Sequence, residues 1–312
     1  MRVLVTGGAG FLGSHLAERL AADGHEVVCL DNLSTGRRRN LEPLLAAGRA
    51  ALLEADVVEP LALRGPFDRI YHLASPVSTA HHAARPIATL RAGAEGTRRV
   101  LDLACECRAV FLLASTSEVY GDPQVHPQPE TYVGHVSPVG PRSPYDEAKR
   151  FAEALVTAYG RERGLAVRIA RIFNTYGPRM PPEDGRVVFA FVQQALTGHP
   201  LRVFGTGKQT RSFCYVSDMV EGLVRLAEAD YAGPVNLGNP DEVTVLDLAH
   251  EIIDLAGSES TIQFALLPED DPARRRPDIT LARRLLGWQP GVPRAKGLRR
   301  TIEYYRKEEP LA

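Results

Sequence analysis

Short apolar runs alternate along the chain with longer stretches whose apolar residues recur at helical spacing. Arg2–Val5, Glu26–Leu30, Ala50–Leu53, Arg69–His72 and Ala109–Ala114 are of the first kind. Such runs predict strands buried on both faces. Phe11–Ala22 and Pro86–Cys105 are of the second kind and predict helices with one apolar stripe. Strand and helix in alternation predict a parallel sheet covered by helices on both sides. A further helix is predicted over Tyr145–Gly160 and a further strand over Ala166–Ile172.

Beyond Tyr176 the rhythm breaks. Gly177, Pro178, Pro181, Pro182 and Gly185 punctuate the chain, and helix-period stretches follow at Val187–Leu196, Ser217–Glu228, Val245–Ala256 and Gly297–Tyr305. The pattern predicts an α/β protein, a doubly wound parallel sheet carrying a smaller, mostly helical C-terminal domain. Residues 1–174 with about 213–240 are expected to form the first unit, and about 175–212 with 241–312 the second.

Composition narrows the partners. Basic and acidic residues nearly cancel, leaving a formal net charge of −1, so no nucleic-acid or membrane partner is expected. The longest apolar stretches, such as Ala109–Ala114, are far too short to cross a bilayer. MRVLVTGG has no long apolar core before its glycines, so no secretory signal is expected. Cys29, Cys105, Cys107 and Cys214 lack a framework spacing, and the Cys105/Cys107 pair has no second pair. No metal site is expected there or at His81-His82. Buried free thiols suit a reducing cytoplasm.

The first candidate chemistry lies in Val3 to Gly13, a strand, a glycine turn and a helix start. Gly7 permits the tight turn, Gly10 lets a pyrophosphate approach the backbone, and Gly13 lets helix and strand pack closely. The helix end then favours phosphate. Asp31 closes the second strand, where a carboxylate accepts hydrogen bonds from the adenosine ribose hydroxyls and repels a 2′-phosphate. The sheet is thereby expected to be Rossmann-type and the cofactor NAD rather than NADP. Read alone, Asp31 in DNLSTG also suits a turn or cap, and Arg37–Arg39 keep NADP open or form a solvated face.

The second candidate is SPYDEAKR, in which Tyr145 and Lys149 are one helical turn apart. A phenol titrates near ~10 in water. A nearby ammonium and a positive nicotinamide ring favour its ionised form, making it a usable acid or base. Upstream, STSEVYGDP brings three hydroxyls and Glu118 to the end of a predicted strand.

The Gly7-x-x-Gly10-x-x-Gly13 spacing together with SPYDEAKR resembles the short-chain dehydrogenase/reductase superfamily. VTGGAGFLGSHL, STSEVYGDP, RIFNTYGPRMPPEDGRVV, QTRSFCYVSD, PVNLGNP, LPEDDPARRRPDI and LLGWQP sharpen the resemblance to the UDP-glucuronic acid decarboxylases (UDP-xylose synthases), an extended branch acting on nucleotide sugars. The likeness runs nearly end to end. It implies oxidation of the sugar at C4 with tightly held NAD, loss of CO2 from the β-keto acid, reprotonation at C5 and re-reduction at C4.

The resemblance also implies roles. Thr116, Glu118, Tyr145, Lys149 and Arg275 would be catalytic: Tyr145 as acid and base on O4, Thr116 hydrogen-bonding the same oxygen, Lys149 tuning Tyr145 and holding the nicotinamide ribose. Arg275 would hold either a water or the carboxylate-bearing end of the sugar, and Glu118 would orient it. A negative Glu118 is further expected to repel the substrate carboxylate and so promote CO2 departure. Phe11, Leu12, Asn32, Asp56, Val57 and Leu73 would join Gly7, Gly10, Gly13 and Asp31 around NAD. Pro76, Ser117, Asn174, Arg179, Val187, Phe204 and Arg211 would join Arg275 around the UDP-sugar, with Asn174 and Arg211 on the pyrophosphate. The second domain would then bind the nucleotide sugar. The resemblance further implies a homodimer through a four-helix bundle built from Arg91–Cys105 and Asp146–Gly160.

Several positions depart from the family pattern. Gly93 replaces Asn, Ala148 replaces Gly, Val133 replaces Trp, and His82 and Ala84 replace two tyrosines. These changes are expected to cluster near the sugar. A UDP-glucuronate 4-epimerase or a sugar 4,6-dehydratase of the same fold would share the NAD site and Tyr145, and a non-catalytic NAD-binding scaffold would keep the fold alone.

Overall fold

A computed structural model describes residues 1–61, 63, 65–78, 83–181, 185–266 and 274–307. The expectation for His82 lies outside them. Strands β1 (Arg2–Thr6), β2 (Glu26–Asp31), β3 (Ala50–Glu54), β4 (Arg69–His72), β5 (Val110–Thr116) and β6 (Val167–Ile172) join the strand Pro234–Leu237 in one seven-stranded sheet. Its order runs from Pro234–Leu237 through β6, β5, β4 and β1 to β2 and β3, and every pairing is parallel.

Alternation along single strands explains the two layers. In β1, Val3 and Val5 pack into one apolar cluster with Leu16 and Leu20 of helix α1 (Phe11–Ala22) and Met219 and Leu223 of the helix Val216–Glu228. Leu4, between them, packs on the opposite face with Val100 and Leu101 of the helix Thr97–Cys107 and Val156 of the helix Ser143–Arg163. Successive side chains of a strand point to opposite faces, so a continuous apolar run serves two cores.

The chain leaves β1 toward β2 and β3, then returns to β4 on the other side of β1. A crevice opens where the order reverses. Gly7 marks it, with φ +71 and its backbone against Leu73 and Ala74 after β4: a Cβ on Gly7 would stand 2.9 Å from the Ala74 nitrogen.

The helix expected over Pro86–Cys105 is interrupted. Helical turns over Pro86–Arg91 and Thr97–Cys107 flank a wider turn at Ala92–Gly96. The stretch packs on the helix Ser143–Arg163, and a Cβ on Gly93 would stand 2.6 Å from the Ala148 Cβ. Gly93 thus lets two helices approach closely at the position where Ala148 adds a methyl group.

The C-terminal part is built on the helices Val187–Leu196, Val245–Ala256 and Arg294–Lys307, which pack together. Short strands absent from the sequence expectation form a separate three-stranded sheet within it. Thr210–Ser212 pairs with Glu242–Thr244 on one side and Arg274–Arg275 on the other, and the second pairing sets Arg275 opposite Arg211. No described helix is long and apolar enough to cross a membrane.

Candidate functional site

A cleft of about 1400 Å³ runs over the carboxyl ends of the strands. Gly7 after β1, Asp31 and Asn32 at the end of β2, Asp56 after β3, Leu73 after β4, Thr116 closing β5 and Asn174 after β6 all line it. A site for one small ligand rarely exceeds ~1000 Å³, so this cleft has room for a dinucleotide and a second ligand together.

The dinucleotide end is a backbone cradle. The Gly7 amide donates to the Leu30 carbonyl at 2.8 Å, and α1 starts at Gly10 without a side-chain cap. A Cβ on Gly13 would collide with the Gly7 carbonyl. Asp31 accepts from the amides of Ala9 and Leu33, both at 2.9 Å. Burial pushes its carboxyl up, and those two amides pull it back. Asn32 donates to Asp56 at 2.9 Å, tying the ends of β2 and β3. Phe11, Leu12, Asn32, Asp56 and Val57 line the same wall. Glycines that leave no room for side chains, an uncapped helix start and a buried carboxylate at the end of β2 fit NAD. Of the basic run, Arg38 pairs with Glu54 at 2.8 Å, whereas Arg37 lines the cleft.

The reacting end gathers Thr116, Tyr145 and Lys149. Thr116 closes β5, and its hydroxyl accepts from the Glu118 amide at 3.2 Å. Lys149 donates to the Ala114 carbonyl at 2.8 Å, which holds its helix turn against β5. Burial lowers the Lys149 ammonium to about 8, and the charge of Glu153 opposes that fall. Burial raises the Tyr145 phenol, and a hydrogen bond with Thr116 pulls it back. Among the protein's own groups, the largest influences on Tyr145 are burial, Thr116 and the charge of Glu118. Lys149 Nζ stands 5.9 Å from the ring centroid, and one of its three donors bonds Ala114.

Glu118 sits in the short turn Ser117–Tyr120 and faces two guanidinium groups. One oxygen pairs with Arg275. The other accepts from Arg142 Nη2 at 2.6 Å. Burial alone would raise this carboxyl, but Arg275 and Arg142 bring it down to about 2. The expected repulsion between Glu118 and a substrate carboxylate does not survive: two positive groups offset its charge. Arg275 is buried rather than part of a solvated run, because pairing of Arg274–Arg275 with Thr210–Ser212 carries it inward. Behind Arg142 lies Asp146, whose carboxyl burial pushes up to about 7, Glu118 acting in the same direction.

Pro76, Ser117, Asn174, Val187, Phe204, Arg211 and Arg275 all line the cleft. Arg179 does not; its guanidinium bonds Glu18 on α1 at 2.9 Å. Among the described residues, the departures from the family pattern do not line the cleft either. Gly93 and Ala148 meet in a helix interface. Val133 and Ala84 are exposed and not part of the cleft wall.

Arg142 and Arg186 are cleft residues the sequence expectation missed. Arg142 had a signal, its position three residues before Tyr145 in PRSPYDEAKR. Arg186 had none, since it comes from the far side of the cleft to stand 5.9 Å from the Phe11 ring and act on Tyr145. Among the described residues no cluster of three or more His, Cys, Asp and Glu is placed to hold a metal ion. All four cysteines are free.

Comparison with known proteins agrees with this geometry. The family model of the NAD dependent epimerase/dehydratase family matches residues 3–238. UDP-glucuronic acid decarboxylase 1 of Danio rerio is 54% identical over 98% of this chain and 73% of its own length. The UDP-glucose 4-epimerase of Thermotoga maritima, solved with UDP-glucose, superposes with a TM-score of 0.91 at 30% identity over 98% of this chain and 99% of its own. The dTDP-glucose 4,6-dehydratase of Streptomyces venezuelae, solved with NAD bound, gives 0.90 at 32% identity over the whole of both chains.

Proposed function

The chain belongs to the NAD-dependent epimerase/dehydratase family, and we propose that within it this enzyme decarboxylates UDP-glucuronic acid to UDP-xylose. Decarboxylase relatives at 54% identity over nearly the whole chain support that substrate. The observation that carries the reading is the Glu118–Arg275 pair, on the same cleft wall as Thr116 and Tyr145. A 4-epimerization needs only a hydroxyl and an acid–base group at O4; a charged pair beside them suits the extra events at C5.

Gly7, Gly10, Gly13 and Asp31 would hold NAD, with Lys149 toward its nicotinamide ribose. The bound cofactor supplies a hydride acceptor and donor at the sugar C4, which no side chain can do. Tyr145 takes the proton of the C4 hydroxyl, and Thr116 hydrogen-bonds the same oxygen. The 4-keto uronate is a β-keto acid. When its carboxylate leaves as CO2, the electron pair of the broken bond moves into the carbonyl and charge develops on O4. Tyr145, now protonated, donates a hydrogen bond to that oxygen where the charge appears. A proton is added at C5 from a water oriented by Glu118 and Arg275, and a proton from solvent neutralises the hydroxide left behind. Reduction at C4 then completes the product as Tyr145 returns its proton to O4.

Asn174 and Arg211 take the pyrophosphate, and Val187 and Phe204 the uracil. Residues 1–174 with about 213–240 serve as the NAD-binding unit, and about 175–212 with 241–312 as the nucleotide-sugar unit. The enzyme works as a cytoplasmic homodimer: Ile87, Leu90 and Phe151 expose apolar side chains along two packed helices, and four free cysteines suit a reducing compartment.

The test is mass spectrometry of the product formed from UDP-glucuronate and NAD+. Stoichiometric CO2 with UDP-xylose is expected. UDP-galacturonate without CO2 would transfer the protein to the 4-epimerases.

A further inference from the structure

Resting on the decarboxylase reading, we propose that Arg142 is the group that recognises the substrate carboxylate and so selects a uronate over a neutral hexose. Glu118 holds two guanidinium groups, and they are not equivalent. Arg275 lies on the floor: its side chain is 5% exposed, Nη1 pairs with Glu118, and Nη2 donates to the Gly121 carbonyl at 2.8 Å. Both line the cleft, but Arg142 is the more open of the two, with 27% of its side chain exposed.

Arg142 is also fixed relative to the reacting centre. Its carbonyl accepts from the Tyr145 amide at 3.1 Å and from the Asp146 amide at 3.2 Å, so its backbone belongs to the helix turn that carries Tyr145. In a uronate the carbon that bears the carboxylate is bonded to the carbon that bears the oxygen Tyr145 serves, and Arg142 and Tyr145 line the same cleft. The local charges favour an anion there. Arg142 and Arg275 face one ionised carboxylate, Glu118. Asp146, 4.0 Å from Arg142 Nε, is held partly protonated near neutral pH by burial. A guanidinium that pins the carboxylate also sets its angle to the C4 carbonyl plane, and the breaking bond must stand across that plane for its electrons to enter the carbonyl.

The test uses the NAD-loaded protein with Tyr145→Phe, which allows binding without turnover. Titration compares UDP-glucuronate, UDP-glucose and UDP. The expected result is UDP-glucuronate binding at least about tenfold tighter than UDP-glucose, the range of one charge-assisted contact. Adding Arg142→Gln brings that ratio near one with UDP affinity unchanged; Arg142→Lys keeps most of it. An unchanged ratio in Arg142→Gln overturns the proposal, as does an equal loss for all three ligands. The outcome is separable from failure of the parent reading, because wild-type protein assayed for CO2 release reports on that alone.

Discussion

Glu118 and Arg275, separated by 157 positions in the sequence, form an ion pair inside the cleft, their side chains 15% and 5% exposed. Neither a helix nor a sheet neighbour relation links them. Glu118 follows β5, and Arg275 arrives on a short strand from the C-terminal part. The pair therefore ties the two parts of the molecule together at the site.

Removing one member should be worse than removing both. A buried charge left unpaired costs about 3–5 kcal/mol, whereas an apolar replacement of the whole pair is often close to neutral. Glu118→Gln and Arg275→Met should each lower stability by a few kcal/mol, less for Arg275→Met because Arg142 remains on Glu118, and the double variant should recover part of the loss. Denaturant titration in a double-mutant cycle measures the coupling. Acid sensitivity gives a second readout. Because the Glu118 carboxyl lies below its ordinary 4.5, at about 2, its contribution is complete above about pH 4.5 and is lost as pH falls toward about 2. The stability gap between wild type and Glu118→Gln should narrow over that interval.

Tyr145→Phe should cut turnover by about 10²–10⁴-fold, the range for a general acid–base group, while leaving UDP-glucuronate affinity within a few-fold. Thr116→Val should reduce turnover less, because it removes one hydrogen bond to O4 and leaves the proton carrier in place. Steady-state kinetics with direct binding separates the two effects. A Tyr145→Phe enzyme with near wild-type turnover would remove the mechanism.

Lys149 should set an alkaline limit. Its ammonium is lowered to about 8, so the proton is lost as pH rises through that value rather than near its ordinary 10.5. Activity that depends on the charge is present below about pH 8 and declines above it. Lys149→Arg stays charged throughout; its activity, lower overall, should lose the decline. The pH dependence of kcat for both proteins is the measurement.

Gly93 and Ala148 should be exchangeable only together. A Cβ on Gly93 meets the Ala148 Cβ at 2.6 Å. Overpacking of that kind costs about 1–3 kcal/mol, partly offset by the ~1 kcal/mol helix preference of Ala over Gly. Gly93→Ala should lower the melting temperature, and adding Ala148→Gly should restore it. Thermal unfolding of the three variants tests this.

The NAD cradle should fail in two distinct ways. Gly13→Ala drives a methyl group into the Gly7 carbonyl and should damage folding and cofactor binding together. Asp31→Asn keeps the shape but weakens acceptance from ribose hydroxyls, and should lower NAD affinity about tenfold or more with little change in melting. Calorimetric NAD titration distinguishes them.

Most of the sheet and the NAD end could be read directly from the chain, because their physics is short-range. Strand alternation, helix spacing and a glycine turn act over a few residues, so α1 runs over the same Phe11–Ala22 that periodicity predicts, and Tyr145 and Lys149 share a helix face by spacing alone. The charge network was not readable in that way. Arg275 looks like one arginine in a run, and only pairing of its strand beside Arg211 turns it inward to Glu118. Arg179 is expected beside the UDP-sugar by resemblance, yet it bonds Glu18. Gly93 looks like a weak point in a helix until Ala148 is packed against it. In each case the deciding partner lies far away in the chain. Local propensity carries no information about which distant side chain will arrive, and only the packed sheet and its C-terminal attachments bring the partners within bonding distance.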